Sequence, residues 1–291
     1  MKPEISVIMS VYNDEKYIAK AIDSILTQSF SNFELIICDD YSTDRSSNII
    51  EKYVKQDNRI VFFKNEKNLG LATSLNRCIE RAKGKYIARM DSDDISLPNR
   101  FEVEYNYLED NSDIVVVGCK CQCIDENDEI YKDFQIHSGS VSFYDAIKKV
   151  QIVHPTVMMR KEALLSVDGY TVNNLTLRAE DYDLWCKMTK KGYKIFNLDT
   201  ILLLYREGLQ GMKKRKYKFR IQEAKLKYMW MKKEKAEILA IEDEDKRQEE
   251  LDKLNATQEE WKLRAMGTTI GCHTIVKKGT DGNDIKTYDL T

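Results

Sequence analysis

The sequence predicts an α/β protein whose core is a doubly wound sheet with helices on both faces. Three observations carry this. Short β-branched apolar runs alternate strictly with helix-period segments from Ile5 to Asp91. The first, second and fourth runs end in polar or acidic residues, where open sheets of this kind bind ligands beyond the carboxyl ends of their strands. Finally, 291 residues with 42% hydrophobic content are enough to bury a substantial core.

Each element follows from its pattern. The run "ISVIMSVY" (Ile5 to Tyr12) is apolar on both faces and reads as a buried parallel strand. Ile18, Ala21, Ile22, Ile25 and Leu26 then recur at helical spacing. "FELIICDD" is a second buried strand, and "STDRSSNIIEKYVKQ" a helix that Ser42, Thr43 or Asp44 would cap. "IVFFKN" is a third strand, followed by the helix "LATSLNRCIERAKG" with Gly84 expected at its C-terminal cap. "KYIARMD" is the fourth strand. Beyond Pro98 the alternation loosens. "RFEVEYNYLEDN" is a helix, "DIVVVGCKCQCID" a strand with "DEIYKDFQI" as hairpin partner, and "VSFYDAIKKVQI" a helix. "HPTVMMRKEALLSV" runs strand into helix, "EDYDLWCKMTKKG" is an amphipathic helix stopped by Gly192, and "YKIFNLDTILLLYR" supplies two short strands.

After Arg206 the composition changes. Lys213 to Lys235 holds eleven Lys or Arg against two Glu, and Glu237 to Glu260 holds ten acids against three bases. These read as two charge-segregated helices, 209–291 being a helical extension with a Gly- and Asp-rich, flexible tail. The chain as a whole carries a net charge of -2, so nothing marks it as a nucleic-acid binder. Seven scattered cysteines fit thiols kept reduced in the cytoplasm. The cluster "GCKCQC" has period two and no second knuckle, which favours structural thiols over a zinc site. No run approaches the roughly 18 apolar residues of a membrane span.

Three acidic constellations invite chemistry. In "YIARMDSDDISLP" Asp91, Asp93 and Asp94 crowd together after the fourth strand. Two carboxylates about 5 Å apart repel by roughly 3 kcal/mol at an effective dielectric of about 20. The cluster is therefore either an Asp-rich turn splayed into water or a hard-cation site for Mn2+ or Mg2+. Asp39 and Asp40 end the second strand, as helix-capping and surface charges or as acceptors for a nucleotide's ring N–H or ribose hydroxyl. Glu180 and Asp181 open a helix, where they either complement its dipole or place a general base in the crevice.

Taken in order and spacing, "SVIMSVYN", "CDDYSTD", "NLGLATSLNRCIERAKGKYIARMDSDD" and "AEDYDLWCKM" resemble family two of the inverting glycosyltransferases over roughly Ile5 to Arg206. That resemblance implies the GT-A fold: a doubly wound, Rossmann-like mixed sheet, here with a C-terminal helical extension. It divides the domain into a nucleotide-sugar-binding half (1–97) and an acceptor-binding half (98–208). By the same resemblance Ser10 and Tyr12 pack the nucleotide base and Asp40 reads a uracil ring. Asn68, Gly70 and Asn76 lie along the diphosphate. Asp93 ligates Mn2+ or Mg2+, Asp91 touches ribose or metal, and Asp94 supports the loop. Asp181 is the catalytic base with Glu180 beside it, and His154 and Arg178 have weaker claims on the acceptor side.

The implied partners are a nucleotide-sugar donor, UDP-linked in the usual case, and a saccharide or lipid-linked saccharide acceptor of surface polysaccharide synthesis. The implied location is the cytoplasm. The basic segment 213–235 would either lie on the inner face of the membrane or pair with its acidic neighbour or a second copy. Where the family often carries a His-containing loop over the donor, this chain has "LYREGLQGMKKRK", which either dispenses with such a phosphate contact or hands it to Arg206 and Lys213. Two rivals remain. A nucleotidyltransferase would want a Gly-rich loop where "SVYNDEKY" stands, and a catalytically degenerate homologue would bind nucleotide sugar as a partner subunit without turnover.

Overall fold

Every residue of β1 (Ile5–Val11) except Ser10 is buried, as its two-sided apolar run requires of a central strand. In the computed structural model, which describes residues 2–148, 152–207, 217–269, 274–278 and 284–288, the chain divides into two compact units, Met1–Tyr228 and Met229–Thr291. The first unit is built on the sheet. β1, β2 (Phe33–Asp39), β3 (Ile60–Lys64) and β4 (Tyr86–Arg89) run parallel in the order β3-β2-β1-β4. The connections are α1 (Ile18–Leu26), α2 (Ser46–Val54) and α3 (Leu71–Arg81). Strand order therefore steps outward from β1 to β3 and then returns to β1's other side. A crevice opens beyond the carboxyl ends of β1 and β4 at that reversal.

The second half completes the same sheet. It comprises β5 (Ile95–Ser96), α4 (Arg100–Asp110), β6 (Ile114–Ile124), β7 (Ile130–Asp133), β8 (Gly139–Val141), α5 (Phe143–Lys148), β9 (Met158–Arg160), α6 (Lys161–Leu165), α7 (Glu180–Lys190) and β10 (Lys194–Arg206). The order continues β4-β9-β6-β10-β5, with β7 on β6 and β8 on β10, and β9 antiparallel to both its neighbours. The sheet is thus mixed. One apolar cluster joins Val7, Met9 and Ile37 from the first half to Phe101, Val117, Met158 and Leu203 from the second. Burying each such side chain is worth about 1.5–3 kcal/mol, so the halves share one core.

Two local expectations change. Gly84 is not the cap of α3, which ends on extended Ala82. Its glycine is required by close approach, because a Cβ there would sit 2.6 Å from the Ser6 amide nitrogen and 2.9 Å from the Glu4 oxygen. Likewise the two short strands read in "YKIFNLDTILLLYR" form a single β10, whose pairing with β6 is interrupted between Asn197 and Ile201, around Asp199. Gly192 behaves as expected. At φ 86° it follows α7, its N–H bonding the Thr189 carbonyl at 3.0 Å and that of Tyr193 the Met188 carbonyl at 3.1 Å.

The "GCKCQC" run lies in β6 with Cys119, Cys121 and Cys123 all buried, and burial pushes all three thiols up. They are inert packing groups. The helix α8 (Tyr217–Leu239) begins in the first unit, where Gln222 donates to the Asn174 carbonyl at 2.8 Å and Lys227 lies 5.5 Å from the Tyr182 ring centre. In the second unit lie the rest of α8, α9 (Glu244–Thr269) and an antiparallel pair, β11 (Thr274–Lys278) with β12 (Asp284–Tyr288). That pair falls within the tail expected to be flexible, where β-branched and aromatic residues flank the sequence "GTDGN". Residues 208–216, including Lys213, lie outside the described residues. Among the described residues no helix is long and apolar enough to cross a membrane.

Candidate active site

The acidic cluster sits at the strand reversal. Arg100, fully buried and paired with Glu104 at 3.1 Å, donates to the Arg89 carbonyl at 3.0 Å and the Val157 carbonyl at 3.3 Å, clamping the end of β4 to the segment before β9. From that fixed end Asp91, Asp93 and Asp94 bring ligand oxygens within 4.8 Å of one another. Asp91 pairs with the buried Arg89 guanidinium, two of whose nitrogens, Nε and Nη1, have no partner. Asp94 accepts the Arg206 amide N–H at 2.7 Å through Oδ1, while its Oδ2 is buried and unpartnered.

This cluster is poised for a cation. Burial first, then the charges of Asp91 and Asp14, push the Asp93 carboxyl up to about 7. Asp94, buried completely, is pushed well above the usual carboxylate range by burial and then by Asp93 and Asp91. Asp14, at the end of β1, is raised to about 6 by burial, its Oδ2 accepting the Ser92 hydroxyl at 2.6 Å. Oxygen donors alone, one of them an orphan, fit a hard divalent ion such as Mg2+ or Mn2+, with Asp93 and Asp91 best exposed to it. Among the described residues this is the one cluster with ligand geometry.

Asp40 is built into the neighbouring loop. Its Oδ1 accepts Leu69 N–H and Asn65 Nδ2, both at 2.7 Å, and its Oδ2 accepts Gly70 N–H at 2.8 Å. Three of about four lone-pair sites are therefore filled, and one remains for a ring N–H. Asn68 is exposed and donates to the Asp40 carbonyl at 3.3 Å; Gly70, at φ 85°, opens α3 toward empty space. Asn76 spends its amide on the backbone of Tyr170, at 2.8 and 2.9 Å, and ties α3 to the second half of the domain. Asp39 holds the next turn, accepting Ser42 N–H at 2.9 Å and the Ser47 hydroxyl. Ser10 pairs with Cys38 across β1 and β2, and Tyr12, just beyond β1, is 52% exposed.

In the second half of the domain Glu180 and Asp181 open α7, preceded by Arg178 at φ 68°. Glu180 is buried and raised by burial and then by Asp181; Asp181 is more exposed. Tyr170 is fully buried, and burial pushes its hydroxyl well above the usual tyrosine range. That hydroxyl meets His154 Nε2 at 2.7 Å. His154 itself is buried and held neutral by burial and by the Arg89 charge.

Arg206 takes a different part from the phosphate contact expected of it. Its guanidinium is buried, donates to the Asp93 carbonyl at 2.7 Å and to the Asp125 carbonyl, pairs with Asp128, and lies 4.1 Å from the Tyr17 ring centre. Each of its three guanidinium nitrogens has a partner within the protein, so it braces the loop that carries the acidic cluster. Sequence reasoning passed over Arg89, Asn65 and Tyr170. Arg89 carried a signal: a charge inside the apolar run "KYIARM", two residues before Asp91, falls on the same strand face.

Solved structures share this mixed-sheet fold. TarS 1-349 of S. aureus in complex with UDP-GlcNAc matches with a TM-score of 0.65 at 22% identity, over 88% of this chain and 72% of that one. A mannosyltransferase from Pyrobaculum calidifontis, in complex with GDP-Man and Mn2+, matches at 0.58 and 16%, over 92% and 80%. The fold is therefore that of the GT-A glycosyltransferases. Residues 6–167 match the family described as Glycosyl transferase family 2. The putative glycosyltransferase EpsE of Bacillus subtilis (strain 168) is 38% identical over 227 residues, 78% of this chain and 81% of its own. The O-antigen biosynthesis glycosyltransferase WbnJ of Escherichia coli is 36% identical over 211 residues, 69% and 79% of the two chains. The chain belongs to glycosyl transferase family 2 and is a glycosyltransferase.

Proposed function

We propose that this glycosyltransferase is metal-dependent and inverting, moving a sugar from a UDP-linked donor to a hydroxyl of a saccharide or lipid-linked saccharide in surface polysaccharide synthesis. The observation that carries this reading is the division of acids into two groups, one fit for a cation and one at a helix start. The relatives' names favour the same setting: O-antigen biosynthesis for one, teichuronic acid biosynthesis for TuaG of Bacillus subtilis (strain 168), and TarS crystallised with UDP-GlcNAc.

In this reading Ser10, Tyr12 and Asp40 receive the base, Asn68 and Gly70 flank the diphosphate, and Asp91 and Asp93 hold Mn2+ or Mg2+. A divalent ion bound there would neutralise charge on the departing diphosphate. Asp181 takes the proton from the acceptor hydroxyl as its oxygen bonds to the anomeric carbon, and the bond to the diphosphate oxygen breaks on the opposite face, inverting the centre. Glu180 is buried and its carboxyl is raised by burial and then by the Asp181 charge, whereas Asp181 is the more exposed of the two and the one that serves as base. The enzyme works in the cytoplasm. Lys225, Lys232, Lys233 and Lys235, all exposed on α8, are the charges that would meet an anionic membrane or a second copy.

The test is Asp181→Asn. Transfer should fall by about 10²–10⁴-fold while Mn2+-dependent UDP binding, read by calorimetry, is unchanged. Equal loss of binding would remove Asp181 from the role of base. A wild-type protein that binds donor but never transfers or hydrolyses it would favour the partner-subunit reading.

A further inference from the structure

We infer that Tyr41, an exposed tyrosine held in left-handed backbone conformation beside Asp40, is a second aromatic contact for the base of the bound nucleotide. The inference rests on the donor reading above. Tyr41 has φ 72°, a region that a bulky side chain avoids because its Cβ crowds the following carbonyl. Such strain persists only where the surroundings over-determine it.

The surroundings here are a zipper between the loops that follow β1 and β2. Asn13 N–H donates to Ser42 Oγ at 3.0 Å, Thr43 N–H to Asn13 Oδ1 at 2.7 Å, Glu15 N–H to Asp44 Oδ2 at 2.9 Å, and Arg45 N–H to Glu15 Oε2 at 2.9 Å. Asn13 is itself left-handed, at φ 53°. The Asp40 N–H bonds the Val11 carbonyl at 2.8 Å, so the pairing of Val11 with Asp39 continues one step and brings Tyr12 beside Asp40. Tyr41 comes next in the chain.

Burial does not explain the residue. Tyr41 is 52% exposed, the same value as Tyr12, whereas tyrosines kept for packing, such as Tyr86 and Tyr170, are covered to within 1%. Glycine would occupy φ 72° without strain, so the fold alone favours glycine at this position. Asp40, the preceding residue in the chain, keeps one carboxylate lone pair open for the edge of a planar heterocycle, and exposed tyrosine rings suit its faces. Two tyrosines on a pinned pair of loops lose little freedom when they close on it.

Tyr41→Gly separates this role from a structural one, because it removes the ring and the strain together. Calorimetry with Mn2+ would use UDP and inorganic pyrophosphate as probes, alongside thermal melts of the same samples. Expected for Tyr41→Gly are UDP binding weakened about tenfold, pyrophosphate binding unchanged and a melting temperature equal to or above wild type. Tyr41→Phe, which keeps the ring, should bind UDP as wild type does. Unchanged UDP binding in Tyr41→Gly would overturn the inference, as would parallel loss of both probes or a lowered melting temperature. Wild type that binds pyrophosphate but not UDP would instead overturn the donor reading, a different failure.

Discussion

Ser92, two residues before Asp94, donates its hydroxyl to Asp14 Oδ2 at 2.6 Å and so joins the loop after β4 to the loop after β1. The bond spans the strand reversal where the crevice opens. It also sets Asp14 within reach of the metal cluster: burial, then Asp91, raise its carboxyl from 3.8 to about 6. The raised value fixes the sign of a pH effect. Stability from the neutral form is fully present below about pH 4 and is lost as pH rises through about 6. Asp14→Asn should therefore melt above wild type at pH 8 in chelator and equal it at pH 4. The same difference at both pH values would refute the linkage.

Much of the fold was legible because the first four strands are apolar on both faces and the intervening helices show clean periodicity. What escaped was long-range. Gly84 read as a cap from its place after a helix, but its constraint comes from the backbone at Glu4 to Ser6, nearly eighty residues away. For Arg206, phosphate contact was one of two readings, raised because its segment lacks a His. Its true partners, Asp93, Asp125 and Asp128, come from two distant loops. The acid cluster was readable as three acids within four positions. The buried arginine beneath it required knowing that β4 is covered on both sides.

Asp93 should control cation dependence. Its oxygen shares a space with those of Asp91 and Asp94, and its backbone carbonyl is pinned by Arg206. Asp93→Ala removes the side chain and keeps that pin. UDP affinity in the variant should respond to Mn2+ at least tenfold less than in wild type, with the melting temperature preserved or raised because a reluctant buried acid has gone. Titrating UDP with and without Mn2+ checks this.

Gly84→Ala should destabilise without touching chemistry. The added Cβ would meet the Ser6 nitrogen at 2.6 Å and the Ile5 carbonyl carbon at 2.8 Å, both backbone atoms of the central strand that cannot swing aside. Overpacking of this kind costs about 1–3 kcal/mol. Thermal melts should show the loss, while transfer measured well below the melting point stays near wild type.

His154 gives an opposite pH sign. Its ring is buried against Tyr170 and Trp185, at centroid distances of 5.3 and 6.2 Å, and burial together with Arg89 holds it neutral far below the ordinary histidine range. Unfolding frees it to take a proton near 6.5, so its contribution to stability is present above that value and is lost as pH falls. Wild type should lose more stability than His154→Gln between pH 7 and pH 5, because glutamine cannot take up that proton. Urea midpoints at the two pH values measure the difference. If both proteins fall equally, His154 takes up its proton in the fold as readily as in the unfolded chain, and its burial against Tyr170, at 2.7 Å from ring Nε2 to hydroxyl, does not hold it neutral.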